Sequence, residues 1–395
     1  MKPVALLTHL CALTMLTACT ASTQSLKLSE SPTRALQETR RLTGAPGIAA
    51  LVHHRGTTVF FEVDGHRINK SAARITPADS FHLGSNTKAM TGVLIALLVE
   101  EGVLSWDETL KDLFPDLEVH PALHNVTVLD LIRHEGGMPG YLARTHRSLW
   151  NQIWDALDDD VTQTRRQLAQ TLVTLEPLSE PGTYTYSNSG YVLVASAIET
   201  RLKQSWEELI QARVFAPLGM KSCGFGAPQG GDIALPSQPW GHRKRADGSL
   251  KPMKPGPIAD NPPVLAPAGG VHCSMQDWLR FTQLFTATSP AFGLLNPSQK
   301  DRLLSPSDGG RYGGGWRRFY REWGEGLVLY HAGTNKRFYS IAWVAPETES
   351  VILIATNLYY VGIDADIDRL VGVLIRNFLK DRFVERTGTP TKPPA

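Results

Sequence analysis

Apolar positions along this chain follow two different periods. From Ser85 onward, Met90, Val93, Leu94, Leu97 and Leu98 recur at spacings of three and four, which predicts a helix with a buried stripe. Its end is expected near Glu101-Gly102, because glycine takes the left-handed cap conformation without strain. Residues 47–52 and 57–63 are β-rich runs instead, separated by His53-His54-Arg55-Gly56 in the manner of a hairpin. β-Character returns at 327–330, 337–344 and 350–357, with a turn over 346–349. Ser31-Pro32 reads as N-cap and first-turn proline of a short helix through Arg41. Further helical patterns cover 207–215 and 275–285, and a last amphipathic helix covers 363–379. Residues 229–267 are rich in proline and glycine, and a loop that long is either functional or poorly ordered. Terminal strands around a helical middle imply an α/β fold of the α+β type. One antiparallel sheet is built from both chain ends and flanked by helices, with a mainly helical subdomain, roughly 103–265, inserted.

Composition narrows the class. With 395 residues and 42% apolar content, the chain can bury one large core or two smaller ones. Formal charge is +2 with acids and bases dispersed, so there is no nucleic-acid footprint. Arg243-Lys244-Arg245 precedes Asp247-Gly248 and reads as a solvated hairpin tip. Residues 1–18 stand apart: Lys2, then a short apolar segment that suits a signal peptide and is too short to span a bilayer. Leu16-Thr17-Ala18-Cys19 resembles a bacterial lipobox, in which the cysteine is diacylated and becomes the mature N-terminus. Cleavage near Ala18 without lipid is the alternative. Two acyl chains anchor stably where one is marginal. Thr20 in place of Asp after Cys19 points, by the same resemblance, to the periplasmic side of the outer membrane of a bacterial envelope. Residues 19–45 are then a tether and short helix, 46–379 the folded domain, and 380–395 a disordered Pro/Thr tail. Cys223 and Cys273 remain, either paired in an oxidising periplasm or kept as buried free thiols.

Candidate chemistry centres on Ser85-Asn86-Thr87-Lys88, the one Ser-x-x-Lys in the sequence. A serine becomes a useful nucleophile when a neighbour takes its proton, and positions i and i+3 share a helix face. At the helix N-terminus Ser85 would also meet free N–H groups that favour a developing oxyanion. A helix cap beside a surface lysine is the plain alternative. Tyr186-Ser187-Asn188 follows Pro181-Gly182-Thr183 and opens another apolar helix, where Ser187 or Asn188 could simply be the cap. His331-Ala332-Gly333 is either site chemistry or a strand residue beside a bulge glycine. Tyr312-Gly313-Gly314-Gly315-Trp316 reads as flexible backbone at a strand edge. His134-Glu135-Gly136-Gly137-Met138 lacks the second histidine of a zinc helix and reads as a turn; no histidine or cysteine cluster has metal spacing. The Gly-x-Ser-x-Gly elbow is not met at Ser85, flanked by Leu83 and Thr87. No cofactor is implied.

Taken in this order, the segments resemble the serine β-lactamase-related superfamily, in particular its class C β-lactamase, esterase and D-peptidase branch. Val126-Thr127-Val128-Leu129-Asp130-Leu131-Ile132-Arg133-His134, Pro217-Leu218-Gly219-Met220 and Pro267-Ala268-Gly269-Gly270 add to the match. The resemblance implies Ser85 as nucleophile, Lys88 as general base, and Tyr186 as the group that protonates the leaving group and helps activate water. It implies Asn188 as a ligand of the substrate amide and of Lys88, and the N–H groups of Ser85 and Thr334, beyond the Gly333 hinge, as oxyanion hole. The departure is His331, where β-lactamases place a carboxylate-binding lysine; neutral imidazole is a weaker anion partner. The resulting expectation is a lipid-anchored serine hydrolase acting on ester or amide bonds, esterase or D-peptidase-like, with peptidoglycan fragments as one substrate source and a β-lactam as the substrate of the alternative. A true β-lactamase and an idle envelope-binding lipoprotein are the competing readings.

Overall fold

The computed structural model describes residues 27–157, 159–286 and 293–379; the lipobox with Cys19 and the tail from 380 lie outside them. A seven-stranded antiparallel sheet runs in the spatial order Thr57–Gly65, Gly47–His54, Ser350–Thr356, Tyr339–Ala345, Gly326–Thr334, Trp316–Arg321, Tyr312–Gly313. Both chain ends build it, as the pattern predicts. Alternate residues of the central strands face opposite cores. Ile48, Ala50, Val52, Ile352 and Ile354 pack under the Pro32–Thr43 and Ile363–Phe378 helices, while Ala49, Leu51, Val351, Leu353 and Ala355 face the helical bulk. Because both faces are covered, these strands are apolar at consecutive positions, without polar alternation.

The chain between the two halves of the sheet is mainly helical, with two small three-stranded sheets. In one of these, Val271–Ser274 is flanked by Ser80–His82 and Gly224–Phe225. Cys223 and Cys273 are joined there as a disulfide between neighbouring segments. In the other, Leu358–Tyr359, His242–Lys244 and Leu250–Pro252 associate, so the Arg243-Lys244-Arg245 hairpin does exist. This corrects the reading of 229–267 as one long loop: it also holds the 3-10 turns Pro257–Ala259 and Pro263–Leu265.

The Thr87–Glu100 helix is buried on nearly every side, which suits its almost uniformly apolar sequence better than a single stripe would. Two further readings need correction. The strand expected over 327–330 runs from Gly326 to Thr334 and carries His331 and Gly333 within it. Trp316–Arg321 is a strand that went unread, because Arg317, Arg318 and Arg321 interrupt its apolar pattern.

Candidate active site

Ser85 sits where three backbone segments converge. The chain leaves the Ser80–His82 strand, enters the 3-10 turn Gly84–Asn86 and continues into the Thr87–Glu100 helix. The end of the Gly326–Thr334 strand lies against that turn, and two glycines permit the approach. A Cβ on Gly333 would stand 1.9 Å from the Leu83 carbonyl oxygen, and one on Gly84 would stand 2.2 Å from the Thr334 nitrogen. Gly84 also has φ +51°. Asn86 and Ser340 hold the turn: Asn86 Nδ2 donates to Ser340 Oγ at 2.9 Å, and Ser340 Oγ donates to the Leu83 carbonyl at 2.9 Å.

Lys88 is fully buried, with Nζ 3.1 Å from Ser85 Oγ, 2.7 Å from Asn188 Oδ1 and 2.7 Å from the Ala268 carbonyl oxygen. No carboxylate forms an ion pair with it among the described residues. Burial alone pushes its pKa well below the ordinary lysine value. The Tyr186 side chain lies close enough to Ser85 to be influenced by it, and Lys88 Nζ lies 4.9 Å from the centre of its ring. Desolvation holds the phenol above its usual range, against a smaller lowering by Ser85.

The local fold explains why Asn188 is free to reach Lys88. It occupies the N-cap position of the Ser189–Leu202 helix, yet its side chain makes no capping bond. Ser187 Oγ accepts the Ser189 N–H instead, at 3.1 Å, and donates to the Pro139 carbonyl at 2.8 Å. Pro267 and Ala268 close the other side, their carbonyls receiving Thr91 Oγ1 and Lys88 Nζ at 2.7 Å each.

His331 does not do what its sequence position suggested. It is buried on the helical side of its strand and does not line the cavity in front of Ser85. Its Nδ1–H donates to the Ala332 carbonyl at 2.8 Å, so Nε2 is left to accept the Tyr312 hydroxyl at 3.1 Å. Burial, with Lys88 nearby, lowers its pKa to about 3, so it stays neutral and meets no substrate carboxylate. It belongs to a wall of rings behind Tyr186 that sequence reasoning missed. His134 lies 4.3 Å from Tyr186 and 4.5 Å from Tyr312, centre to centre, and Tyr191 donates to the Ile132 carbonyl at 2.9 Å. His134 ends its helix with left-handed backbone, which fits the turn expected over 134–138, and its Nδ1 accepts the Ser187 N–H at 3.1 Å, beside the Tyr-x-Asn segment; nothing local in the sequence pairs the two.

The cavity has an apolar wall of Tyr141, Leu142, Ala143, Trp150 and Leu265, facing Ser85, Tyr186, Asn188, Asn261, Gly269 and Thr334. Lys336, in the turn after Thr334, is the charged side chain of the lining. Gly333 contributes its backbone contact rather than cavity surface.

Comparison with known proteins agrees with this architecture. The chain is 27% identical to esterase EstB of Burkholderia gladioli over 283 residues, 66% of this chain and 69% of that one. It is 29% identical to the unguisins hydrolase ungD of Aspergillus violaceofuscus, covering 47% of this chain and spanning only 33% of that longer protein. Among solved structures, the D-amino acid amidase of Ochrobactrum anthropi SV3 superposes with a TM-score of 0.66 at 20% identity, covering 88% of this chain and 98% of the amidase. The Beta-lactamase family model matches residues 33–374, most of the chain including Ser85, Lys88 and Tyr186, and the chain therefore belongs to the Beta-lactamase family of serine hydrolases.

Proposed function

We propose that this protein is a serine hydrolase that cleaves ester or amide bonds through an acyl-enzyme on Ser85. The observation that carries this is the set of partners around Lys88. A neutral amine has two N–H bonds and one lone pair, and Asn188 Oδ1 and the Ala268 carbonyl are both acceptors. They take the two N–H bonds and leave the lone pair for the Ser85 hydroxyl. Burial without a counter-charge favours that neutral form.

The reaction follows from these roles. Ser85 Oγ attacks the carbonyl carbon as its proton passes to Lys88 Nζ. The negative charge that forms on the carbonyl oxygen is received by the N–H groups of Ser85 and Thr334. As the tetrahedral intermediate collapses, Tyr186 gives its proton to the departing oxygen or nitrogen, and the Lys88 ammonium restores the phenol. Water then enters, loses a proton to the same pair and attacks the acyl carbon; Ser85 leaves with a proton and the acid product is released.

The apolar wall suits a small hydrophobic acyl group, and the names of EstB and the D-amino acid amidase are compatible with esters and D-aminoacyl amides. A second reading, β-lactam hydrolysis, draws on Lys336, which offers a substrate carboxylate the cation that His331 does not. The purified domain should turn over p-nitrophenyl esters or D-aminoacyl amides faster than nitrocefin, and a fluorophosphonate probe should label Ser85 and lose its target in Ser85→Ala. Labelling that persists on another serine would sink the mechanism, and nitrocefin as the best substrate would select the second reading.

Lipid anchoring is part of the same proposal and rests on Leu16-Thr17-Ala18-Cys19 alone. Cys19→Ala should move the protein from the detergent fraction to the soluble periplasm. A wild-type protein already found there counts against it.

A further inference from the structure

The two N–H groups proposed to receive the oxyanion belong to separate parts of the chain, and both are backbone. No side chain can substitute for them, so their spacing depends on what holds the turn at Ser85 and the turn after Thr334 together. One buried carboxylate touches both. His82, wholly buried at the end of its strand, accepts the Gly84 N–H on Nδ1 at 3.0 Å. That acceptor role puts the ring proton on Nε2, which lies 2.9 Å from Asp260 Oδ1. The contact is bent away from hydrogen-bond linearity, and Nε2 has no other partner.

On the other side, Asn335 Nδ2 donates to the same Asp260 Oδ1 at 3.0 Å. The Asn335 side-chain oxygen collects the N–H groups of Arg337 and Phe338 at 3.0 and 2.9 Å, which closes the turn that follows Thr334. The Asn261 N–H joins Oδ1 at 2.6 Å, and Asn261 Nδ2 donates to the Gly269 carbonyl at 2.9 Å, next to the Ala268 carbonyl that receives Lys88. His82 and Asn335 are buried, and the Asp260 side chain is 5% exposed. Three donors gathered on one carboxylate oxygen are more than packing requires, and of their residues Asn261 alone reaches the cavity in front of Ser85.

We infer that His82 and Asp260 are positioning residues for the oxyanion hole: Asp260 clamps the Gly84 turn, through His82, to the Thr334 turn, through Asn335, and so fixes the distance between the two N–H groups. This rests on the acyl-enzyme reading above. It is needed when charge develops on the carbonyl oxygen and not when substrate first binds, so its loss should appear in kcat and not in KM.

The test compares four variants with the wild type, using burst kinetics on a p-nitrophenyl ester and the affinity for a boronic acid that mimics the tetrahedral state. His82→Leu removes the acceptor, and Asp260→Ala removes the hub. Each should slow acylation about 10- to 100-fold with KM within about twofold, and weaken the boronate by a similar factor. His82→Asn keeps an oxygen where Nδ1 stood but ends short of Asp260, so it should stay nearly as slow as His82→Leu; recovery of the rate would show that the Gly84 contact alone suffices and would overturn the clamp. If the stronger variants do not fold, Asp260→Asn, the same shape without the charge, decides the matter with an expected loss of about tenfold. Acylation within twofold of wild type in the folded variants overturns the inference, as does a raised KM with unchanged kcat. Wild-type protein that no probe acylates overturns the underlying hydrolase reading first, and this inference with it.

Discussion

At the scale of single residues, the site depends on burial setting two protonation states in opposite directions. Desolvation favours the neutral Lys88 amine and the neutral Tyr186 phenol together, so one can accept a proton while the other keeps its own. The sign of the pH dependence follows. Protonated Lys88 cannot take the Ser85 proton, so kcat/KM on a neutral ester should rise with pH and level off well below the ordinary lysine value of about 10.5. The Ser-x-x-Lys spacing alone suggests an alkaline rise; the burial moves it down. A profile still climbing tenfold per unit near pH 10 would show that Lys88 titrates as an exposed lysine does. Ser85 and Lys88 were legible in sequence because i and i+3 fix a shared face whatever else surrounds the helix. His331 was not. Strand periodicity tells which face a residue takes but not how deep that face lies, and here Tyr312 covers it. A lysine at 331 would place a second buried amine near Lys88, behind the wall of rings. Tyr191 and Tyr312 carried no signal at all, since each becomes part of the site only through contacts made across the fold.

At the scale of elements, the site is a junction of a strand end, a 3-10 turn and two helix starts, and close backbone approach is what makes it possible. Gly333→Ala tests that junction. The added methyl would stand 1.9 Å from the Leu83 carbonyl and 2.7 Å from the Ser85 nitrogen, both backbone atoms that cannot rotate aside. The strand end would have to withdraw from the Ser85 turn, so Ser85 acylation should fall by two orders of magnitude or more, the size expected when an oxyanion donor is lost. The Tm should fall as well, and a variant that acylates at wild-type rate would show that the two segments need not touch. Element type was readable wherever one physical cause dominated, as in the central strands, which are apolar at consecutive positions because both faces are covered. It was not readable at the sheet edge. Trp316–Arg321 has its neighbour on one side in the Gly326–Thr334 strand and pairs only with two-residue Tyr312–Gly313 on the other. Its arginines fit an edge that resists further pairing, and they hide it from a search for apolar runs.

At the scale of the whole molecule, the chain ends meet in one sheet and several buried polar side chains tie distant segments to it. The joint between the ends could be anticipated from terminal β-runs; the ties could not, because their partners are far apart in sequence. The disulfide is one case, since Cys223 and Cys273 become neighbours only once the small sheet has brought their segments side by side. His242 is another. It is wholly buried, its Nδ1–H donates to the Asn357 carbonyl at 3.0 Å, and its Nε2 accepts the Asn69 N–H at 3.0 Å. Those two bonds join the segment after the last long strand to the loop after the first hairpin, and they require the neutral ring. Burial lowers its pKa to about 4, and that of His331 to about 3, from an unfolded value of 6.5. Between those values the unfolded chain binds protons that the folded chain refuses, so stability is at its full value above about pH 7 and is lost as pH falls through 6.5 towards 4. Each group displaced this far is worth on the order of 3 kcal/mol over the whole interval. Thermal melts at pH 8, 6 and 4.5 should show Tm constant over the upper range and falling over the lower one. His242→Gln, which cannot take up the proton, should start less stable and lose less on acidification. A wild-type Tm that stays level down to pH 4.5, or a variant with an undiminished acid response, would mean that the histidine ties do not set the acid limit of the fold.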